Sequence, residues 1–182
     1  VSKIGDGVFN YCSNLESIVI PQSVSFIGAN AFWGTPWLDN ARKNTPLVEV
    51  NNILIDGTTA KGDIVIPSNI IEIAGNAFVG SSTTNTRLTG ITIPNSVKSI
   101  GKSAFWQCTK LTSISIPSSV LSIGASAFAN CNNVKSLTIE NGVKYIGRYA
   151  FSGFKMTDLT IPRSVLSIEE GAFNGCNCIT TL

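Results

Sequence analysis

The chain contains no histidine, and this absence excludes several kinds of chemistry at once. Without an imidazole, Ser-His-Asp and Cys-His catalytic arrangements cannot form, and an ordinary zinc site is disfavoured. The phosphate-loop pattern G-x-x-x-x-G-K is missing as well. Glu169 and Glu170 are adjacent carboxylates, but neighbours in sequence rarely face the same cleft. We therefore expect no catalytic residues, no metal site and no cofactor.

Charged residues and long apolar runs are also scarce. Only 13% of the 182 residues are charged and the net charge is +2, so the composition predicts no general attraction to nucleic acid. No stretch of 18 apolar residues occurs, and residues 1–10 lack the basic start and apolar run of a secretory signal. Because 43% of the residues are hydrophobic, we expect a folded piece. Because no long apolar run occurs, we expect that this piece does not itself enter a membrane.

What the sequence has in abundance is a repeat. An isoleucine precedes the small residues and phenylalanine of each repeat, at Ile4, Ile27, Ile73, Ile100, Ile123, Ile146 and Ile168, with spacings of 23, 46, 27, 23, 23 and 22 residues. One interval equal to two periods in an otherwise regular series indicates a solenoid, and the period lies in the range of leucine-rich repeats. We predict one right-handed solenoid domain over residues 1–182, with about eight coils of about 23 residues. Because the sequence starts inside one repeat and stops inside another, we expect it to be a fragment of a longer array.

Within the period, the pattern I-G-x-x-A-F-x-x-C-x-x-L-x-x-I-x-I-P-x-S-V predicts the local structure. Ile114 and Ile116 alternate with Ser113 and Ser115, which indicates a short strand with its hydroxyls facing outward. The equivalent segments around residues 15–20, 88–93, 134–139 and 156–161 are predicted to join it in one parallel sheet. Prolines end most of these strands because they lack the N–H that continues pairing. The Phe-x-x-Cys spacing favours a short helical or 3₁₀ turn.

The same slot of the repeat is occupied by seven phenylalanines: Phe9, Phe32, Phe78, Phe105, Phe128, Phe151 and Phe173. We predict that their rings stack from coil to coil as the spine of the core. Three positions later, Cys12, Cys108, Cys131 and Cys176 are expected to form a buried ladder. Stacked equivalents point the same way, which is poor disulfide geometry, so free thiols are expected.

Residues 33–67 form an elaborated coil that is about twice the usual length. Thr35-Pro36 predicts the cap and first residue of a short helix, and Asn51-Asn52 predicts the turn of a hairpin. The repeat returns in phase afterwards, which indicates a modified coil and not a linker. A smaller insertion at residues 81–87 is polar and is predicted to be a surface loop.

These motifs resemble the BspA-like class of leucine-rich repeats over essentially the whole chain. The segments that carry the resemblance are I-G, A-F-x-x-C and L-x-x-I-x-I-P-x-S-V, together with residues 33–38 and 52–55 of the elaborated coil. The resemblance implies a bacterial cell-surface or secreted protein, and some members of the family are implicated in adhesion to host matrix proteins. Fold alone does not identify a ligand, so this implication remains an analogy.

Three surfaces are candidates for binding. The first is the hydroxyl-rich strand face, represented by Ser113, Ser115, Ser136 and Thr138. The second is a basic strip in which Lys98 and Lys144, like Lys102 and Arg148, occupy equivalent slots two coils apart. The third comprises Trp33 and Trp37 of the elaborated coil and a set of apolar residues in variable slots, namely Phe26, Ile71, Leu121, Tyr145 and Leu166. For each surface a purely structural role stays open: exposed strands favour Ser and Thr, lysines keep the stack soluble, and the tryptophans can pack beneath the insertion.

The functional hypothesis is a non-catalytic, monomeric adhesion or ligand-binding module whose partner is a host or matrix protein. Two alternatives stay open. One is a passive spacer that holds another domain away from the cell, and the other is an acidic-glycan binder that uses the basic strip.

Overall fold

The computed structural model describes residues 1–79 and 87–181, which form a solenoid of short parallel strands with one α-helix. The strands are β1 (Lys3–Ile4), β2 (Phe26–Ile27), β3 (Val48–Val50), β4 (Ile53–Asp56), β5 (Gly62–Val65), β6 (Glu72–Ile73), β7 (Leu88–Thr92), β8 (Ser99–Ile100), β9 (Ser113–Ile116), β10 (Ser122–Ile123), β11 (Ser136–Ile139), β12 (Tyr145–Ile146) and β13 (Ser167–Ile168), and the helix is α1 (Pro36–Asn44). The predicted repeat solenoid is confirmed.

The longest sheet lies at the Ile-Gly position of the repeat. Its order is β13-β12-β10-β8-β6-β4-β3, and all neighbours are parallel except the hairpin pair β3 and β4. Ile123 lies between Ile100 and Ile146, and all three are buried. The preceding residue of each strand alternates to the outer side. Equivalent residues of successive turns therefore become neighbours along the solenoid axis.

The prediction of one parallel sheet at the longer strand position was wrong. Those strands form two separate pairs, β5 with β7 and β9 with β11. Residues 15–20 form no strand, and residues 156–161 contribute only an isolated bridge from Asp158 to Thr181. Next to residues 15–20 the chain begins α1, where the Trp37 N–H donates to the Leu15 carbonyl at 2.9 Å. A strand at residues 15–20 therefore has no neighbouring strand with which to pair.

The Ala-Phe segments are turns and not the predicted helical or 3₁₀ turns. In the turns that the structure describes in full, one residue on each side of the phenylalanine has a left-handed backbone, as at Ser103 (φ 54°) and Gln107 (φ 57°). Their N–H groups and that of Phe105 donate to carbonyls of the next turn, with the Phe105 bond to Ala127 at 2.7 Å. The alternating backbone directs these donors between turns, whereas a helix would use them locally.

The phenylalanine slot is confirmed, but the column of rings is interrupted once. Phe9 stacks on Phe32 with centroids 5.4 Å apart, and five rings from Phe78 to Phe173 stack at 4.6–5.6 Å. Gly57 lies between the two stacks and donates its N–H to Ala77 at 2.6 Å. A Cβ on Gly57 would lie 2.3 Å from the Phe78 ring, so this turn has no room for a side chain in the slot. The core consequently consists of two hydrophobic clusters.

The elaborated coil has the predicted helix and hairpin. Thr35 caps α1 by accepting from the Leu38 N–H at 3.2 Å, and Asn51 and Asn52 both have the positive φ that the hairpin turn requires. Strand β4 pairs with β6 and places Leu54 opposite Ile73. The insertion therefore supplies a complete extra turn of the solenoid, which is why the repeat returns in phase. Of the predicted loop at residues 81–87, residues 81–86 lie outside the described residues, and Arg87 is exposed.

A partly buried ion pair joins the helix to this extra turn. Arg42 donates to both carboxylate oxygens of Asp56, at 3.0 and 2.6 Å, and also contacts Asp39 and the face of Trp33. Asp56 is buried and accepts further hydrogen bonds from Thr58. Burial lowers the pKa of Arg42, but the hydrogen bonds and charges of Asp56 and Asp39 outweigh it and the net shift is upward. The pair fixes α1 against β4.

Candidate binding surface

A single column of side chains along the outer corner of the seven-stranded sheet alternates between apolar and basic residues. From turn to turn its members are Ile71, Lys98, Leu121, Lys144 and Leu166, and we call them the alternating column. Consecutive members are joined by backbone hydrogen bonds of 2.8–2.9 Å, each running from an N–H to the carbonyl of the preceding turn. This ladder fixes their register, so the alternation is a property of the folded surface.

The apolar members of this column are unusually exposed. Ile71 is 47% exposed, Leu121 is 49% exposed and Leu166 is 70% exposed. Tyr145 follows Lys144 in the chain, lies on the outer side of β12 and is 54% exposed. The structure thus confirms that these residues, with Phe26, are incompletely covered. Single exposed apolar residues are ordinary, but a row of them in register on one face is typical of an interaction surface.

The two lysines of the column have no acidic partner in the structure. Lys98 is exposed and Lys144 is half-buried, and neither lies within 4.0 Å of a carboxylate among the described residues. Glu72 of β6, the residue that follows Ile71, pairs with Ser99 of β8. Burial raises the pKa of Glu72, while its hydrogen bond with Ser99 partly opposes the shift. Both lysine charges are therefore available to an external anion.

The second predicted basic pair differs from the first. Lys102 and Arg148 do occupy equivalent slots two turns apart, but Ala125 lies between them. Arg148 forms a salt bridge with Glu170 at 2.8 Å. The hydrogen bond to Glu170 and the negative charge of Glu170 raise the pKa of Arg148. The backbone N–H of Arg148 donates to the Glu169 carboxylate at 2.9 Å. The basic strip is thus interrupted by apolar residues and partly neutralised by Glu170, a pattern that was not predicted from the sequence.

The outward placement of the hydroxyl-rich strand face is confirmed. Ser113 pairs with Ser136 and Ser115 pairs with Thr138, and all four residues are exposed. The face has two shallow concavities of about 360 Å³ each, one beside Asp63 and the other beside Asp158. Both carboxylates already accept hydrogen bonds from threonines within the structure, and those from Thr181 and Thr157 lower the pKa of Asp158. In the part of the chain that the structure describes, this face has no exposed aromatic anchor of the kind that dominates strong interfaces.

The tryptophans of the elaborated coil are packed into the fold. Trp37 contacts the Phe32 ring at 4.7 Å, and Trp33 lies under the Arg42 guanidinium at 4.8 Å. Both are half-buried. The geometry favours packing beneath the insertion over direct contact with a ligand, and a binding role for either residue stays a prediction.

All five cysteines are free thiols, as predicted for the four in the Phe-x-x-Cys slot. Cys108 and Cys131 are stacked and buried, and their mutual hydrogen bond together with burial raises the pKa of Cys108. The Cys131 thiol donates to the Phe105 carbonyl at 3.2 Å. The prediction that Cys12 belongs to the buried ladder was wrong: it is exposed, because a neighbouring turn covers the first turn on one side only. The buried thiols fill space in the core.

Comparison with known proteins now decides the family. The model of the BspA type leucine-rich repeat region matches in six copies, over residues 1–109 and 56–180. The chain belongs to this family. No curated protein is similar enough in sequence to match it.

Solved structures of other leucine-rich repeat proteins resemble this BspA-type chain. A leucine-rich repeat protein of Bacteroides ovatus is 27% identical with a TM-score of 0.53, over 91% of this chain and 36% of that one. A leucine-rich cell surface protein of Faecalibacterium prausnitzii is 27% identical with a TM-score of 0.54, over 100% and 42%. A leucine-rich repeat protein of Eubacterium ventriosum is 25% identical with a TM-score of 0.59, over 90% and 47%. The BspA-type chain thus spans less than half the length of each of these relatives.

Within residues 1–79 and 87–181, no group of three or more Cys, Asp or Glu side chains is placed to hold a metal ion. In the same part of the chain, α1 is far too short to cross a bilayer, and no other helix is present.

Proposed function

We propose that this chain is a non-catalytic protein-binding module of a bacterial cell-surface or secreted protein, and that it binds through the alternating column and Tyr145. Membership of the BspA-type family supports a binding role, and one similar structure is named as a cell surface protein. The observation that carries the proposal is the exposed row of apolar side chains, held in register by backbone hydrogen bonds, with two lysines that have no acidic partner within residues 1–79 and 87–181.

The mixed character of the column favours a protein over an acidic glycan. A sulfated chain is held mainly by cations, and its binding falls steeply with salt. In the alternating column every second residue is apolar. In the other basic pair, Lys102 and Arg148, the charge of Arg148 is paired with Glu170. Protein interfaces, by contrast, combine an apolar centre with charges at the rim. Tyr145 adds an aromatic residue of the kind that is enriched at interface centres.

The test is a binding screen against purified extracellular-matrix proteins and sulfated glycans, measured by surface plasmon resonance. The variants Leu121→Ser/Leu166→Ser and Lys98→Glu/Lys144→Glu change only the column. A matched control, Val19→Ser/Val65→Ser, removes apolar side chains that are 93% and 70% exposed on the strand side of the solenoid. A second control, Lys102→Glu/Arg148→Glu, reverses the interrupted basic pair.

We expect saturable binding to a protein that both column variants weaken at least about tenfold, a loss of about 1.4 kcal/mol. The strand-side control should bind like the wild type. Binding to glycans alone, lost in the Lys102→Glu/Arg148→Glu variant and at high salt, would replace this proposal with the acidic-glycan function. A passive spacer predicts no saturable binding to any member of the panel.

A further inference from the structure

The spacing of the alternating column carries information about the shape of its partner. Neighbouring parallel strands lie about 4.8 Å apart, so like residues in every second turn are separated by about 9.6 Å. Lys98 and Lys144 are related in this way, and Leu121 lies midway between them. From Ile71 to Leu166 the column runs for about 19 Å along the solenoid axis.

An α-helix laid along this axis matches the spacing. Residues seven apart on one helix face are separated by about 10.5 Å, and a residue three or four positions on lies midway. The difference from 9.6 Å is about 1 Å per repeat, which flexible lysine side chains absorb. An extended strand presents like-facing residues every 6.6 Å or so, and these fall out of register with the column. About 13 helical residues cover its whole length.

Charge complementarity then defines the helix sequence. The two lysines lack acidic partners among the described residues, so an acidic residue opposite each one satisfies both charges. Apolar residues between the acids would cover Ile71, Leu121 and Leu166. A second copy of this chain does not supply such a helix. Its α1 is the only helix in the described parts of the sequence, and it has Arg42 and Lys43 in its last turn against the single acid Asp39.

We propose that the alternating column is the docking site of an amphipathic α-helix of a partner protein, lying along the solenoid axis, with acidic residues seven positions apart and apolar residues between them. The inference rests on the proposed function and adds the chemistry and direction of the partner segment. Tyr145, beside Lys144, would pack against the flank of the docked helix.

The test uses a synthetic 21-residue peptide, held helical by lactam bridges, with Glu at every seventh position and Leu midway between. A matched control peptide has the same composition but distributes its Glu residues around the helix. Affinities of the full chain for both are measured by isothermal titration calorimetry. We expect the matched peptide to bind roughly tenfold tighter than the control, as two exposed ion pairs and an aligned apolar row allow.

A charge swap makes the geometry falsifiable. The variant Lys98→Glu/Lys144→Glu should lose the roughly tenfold preference, and a peptide with Lys in place of Glu should regain it with that variant only. Unchanged circular dichroism spectra would show that the exposed substitutions leave the fold intact. Equal binding of the two peptides, or no rescue by the swapped peptide, overturns the helix proposal.

Two further probes separate this inference from the proposed function. Heparin and vesicles containing phosphatidylserine present anions without a heptad spacing. If the chain binds heparin or the vesicles, if the column variants weaken that binding, and if the chain does not discriminate between the two peptides, the proposal of a helical partner is overturned. If the column variants still weaken binding to a matrix protein but the peptides do not discriminate, the helix fails and the proposed function stands. If the column variants change no matrix binding, the proposed function itself fails.

Discussion

The stacked phenylalanines allow the architecture to be tested with one substitution, Phe128→Ala. Phe128 is fully buried, and its ring lies almost parallel to those of Phe105 at 4.9 Å and Phe151 at 5.6 Å. Phe-to-Ala changes in cores cost about 3–5 kcal/mol, because burial is lost and a cavity remains. Two stacked neighbours, each worth about 0.5–1.5 kcal/mol beyond burial, place the expected loss in the upper half of that range.

The matched control is Phe9→Ala, which removes the same side chain from the same slot. Phe9 is half-buried and stacks on Phe32 alone, so we expect a loss of about 1–2 kcal/mol. Both variants would be compared with the wild type by urea unfolding, followed by circular dichroism and by tryptophan fluorescence. The midpoint shift multiplied by the m-value gives the free energy. A loss below about 1 kcal/mol for Phe128→Ala, or equal losses for the two variants, would refute the column as the spine of the core.

Three further predictions concern ionisable and reactive groups. Asp56→Asn should destabilise the fold by roughly 3 kcal/mol in the same urea assay, because it leaves the charge of Arg42 without its main partner. A loss under about 0.5 kcal/mol would show that the ion pair contributes little to stability. Glu72→Gln should raise the melting temperature at neutral pH but leave it unchanged at a pH below the ordinary pKa range of glutamate. The reason is that burial raises the pKa of Glu72, so ionisation of this carboxyl lowers the stability of the fold as the pH rises. An increase in melting temperature that persists in acid would contradict this cause. In the native protein only the exposed Cys12 and Cys178 should react quickly with a thiol reagent, and fast reaction of more than two thiols would argue against the buried ladder.

Much of the fold could be predicted from the sequence because the repeat encodes it locally. The inward isoleucines, the proline turns and the shared phenylalanine slot each follow from residue type and period. Thr35 likewise predicts the helix cap, and Asn51 predicts the hairpin turn. The turns around the phenylalanines were predicted incorrectly because Ser103 and Gln107 adopt left-handed backbones that their side chains do not favour. Hydrogen bonds to the next turn stabilise that conformation, and such bonds are invisible in a local pattern.

The candidate surface was only partly predictable. The sequence identified Lys98 and Lys144 as equivalent, and it identified Leu121 as incompletely covered, but it assigned them to two different surfaces. Backbone hydrogen bonds between turns join them in one column. The salt bridge from Arg148 to Glu170 was also missed, because these residues are 22 positions apart and meet only when adjacent turns stack.

The amino-acid sequence by itself determined that this chain coils with a period of about 23 residues, that its aliphatic and aromatic residues face inward, and that no histidine-dependent catalysis occurs. Only the tertiary structure decided which strands share a sheet, where the aromatic stack is broken and which surface residues become neighbours. The physical reason is that periodicity specifies the direction of each side chain within its own turn, whereas contacts between turns depend on how the backbones pair across the stack.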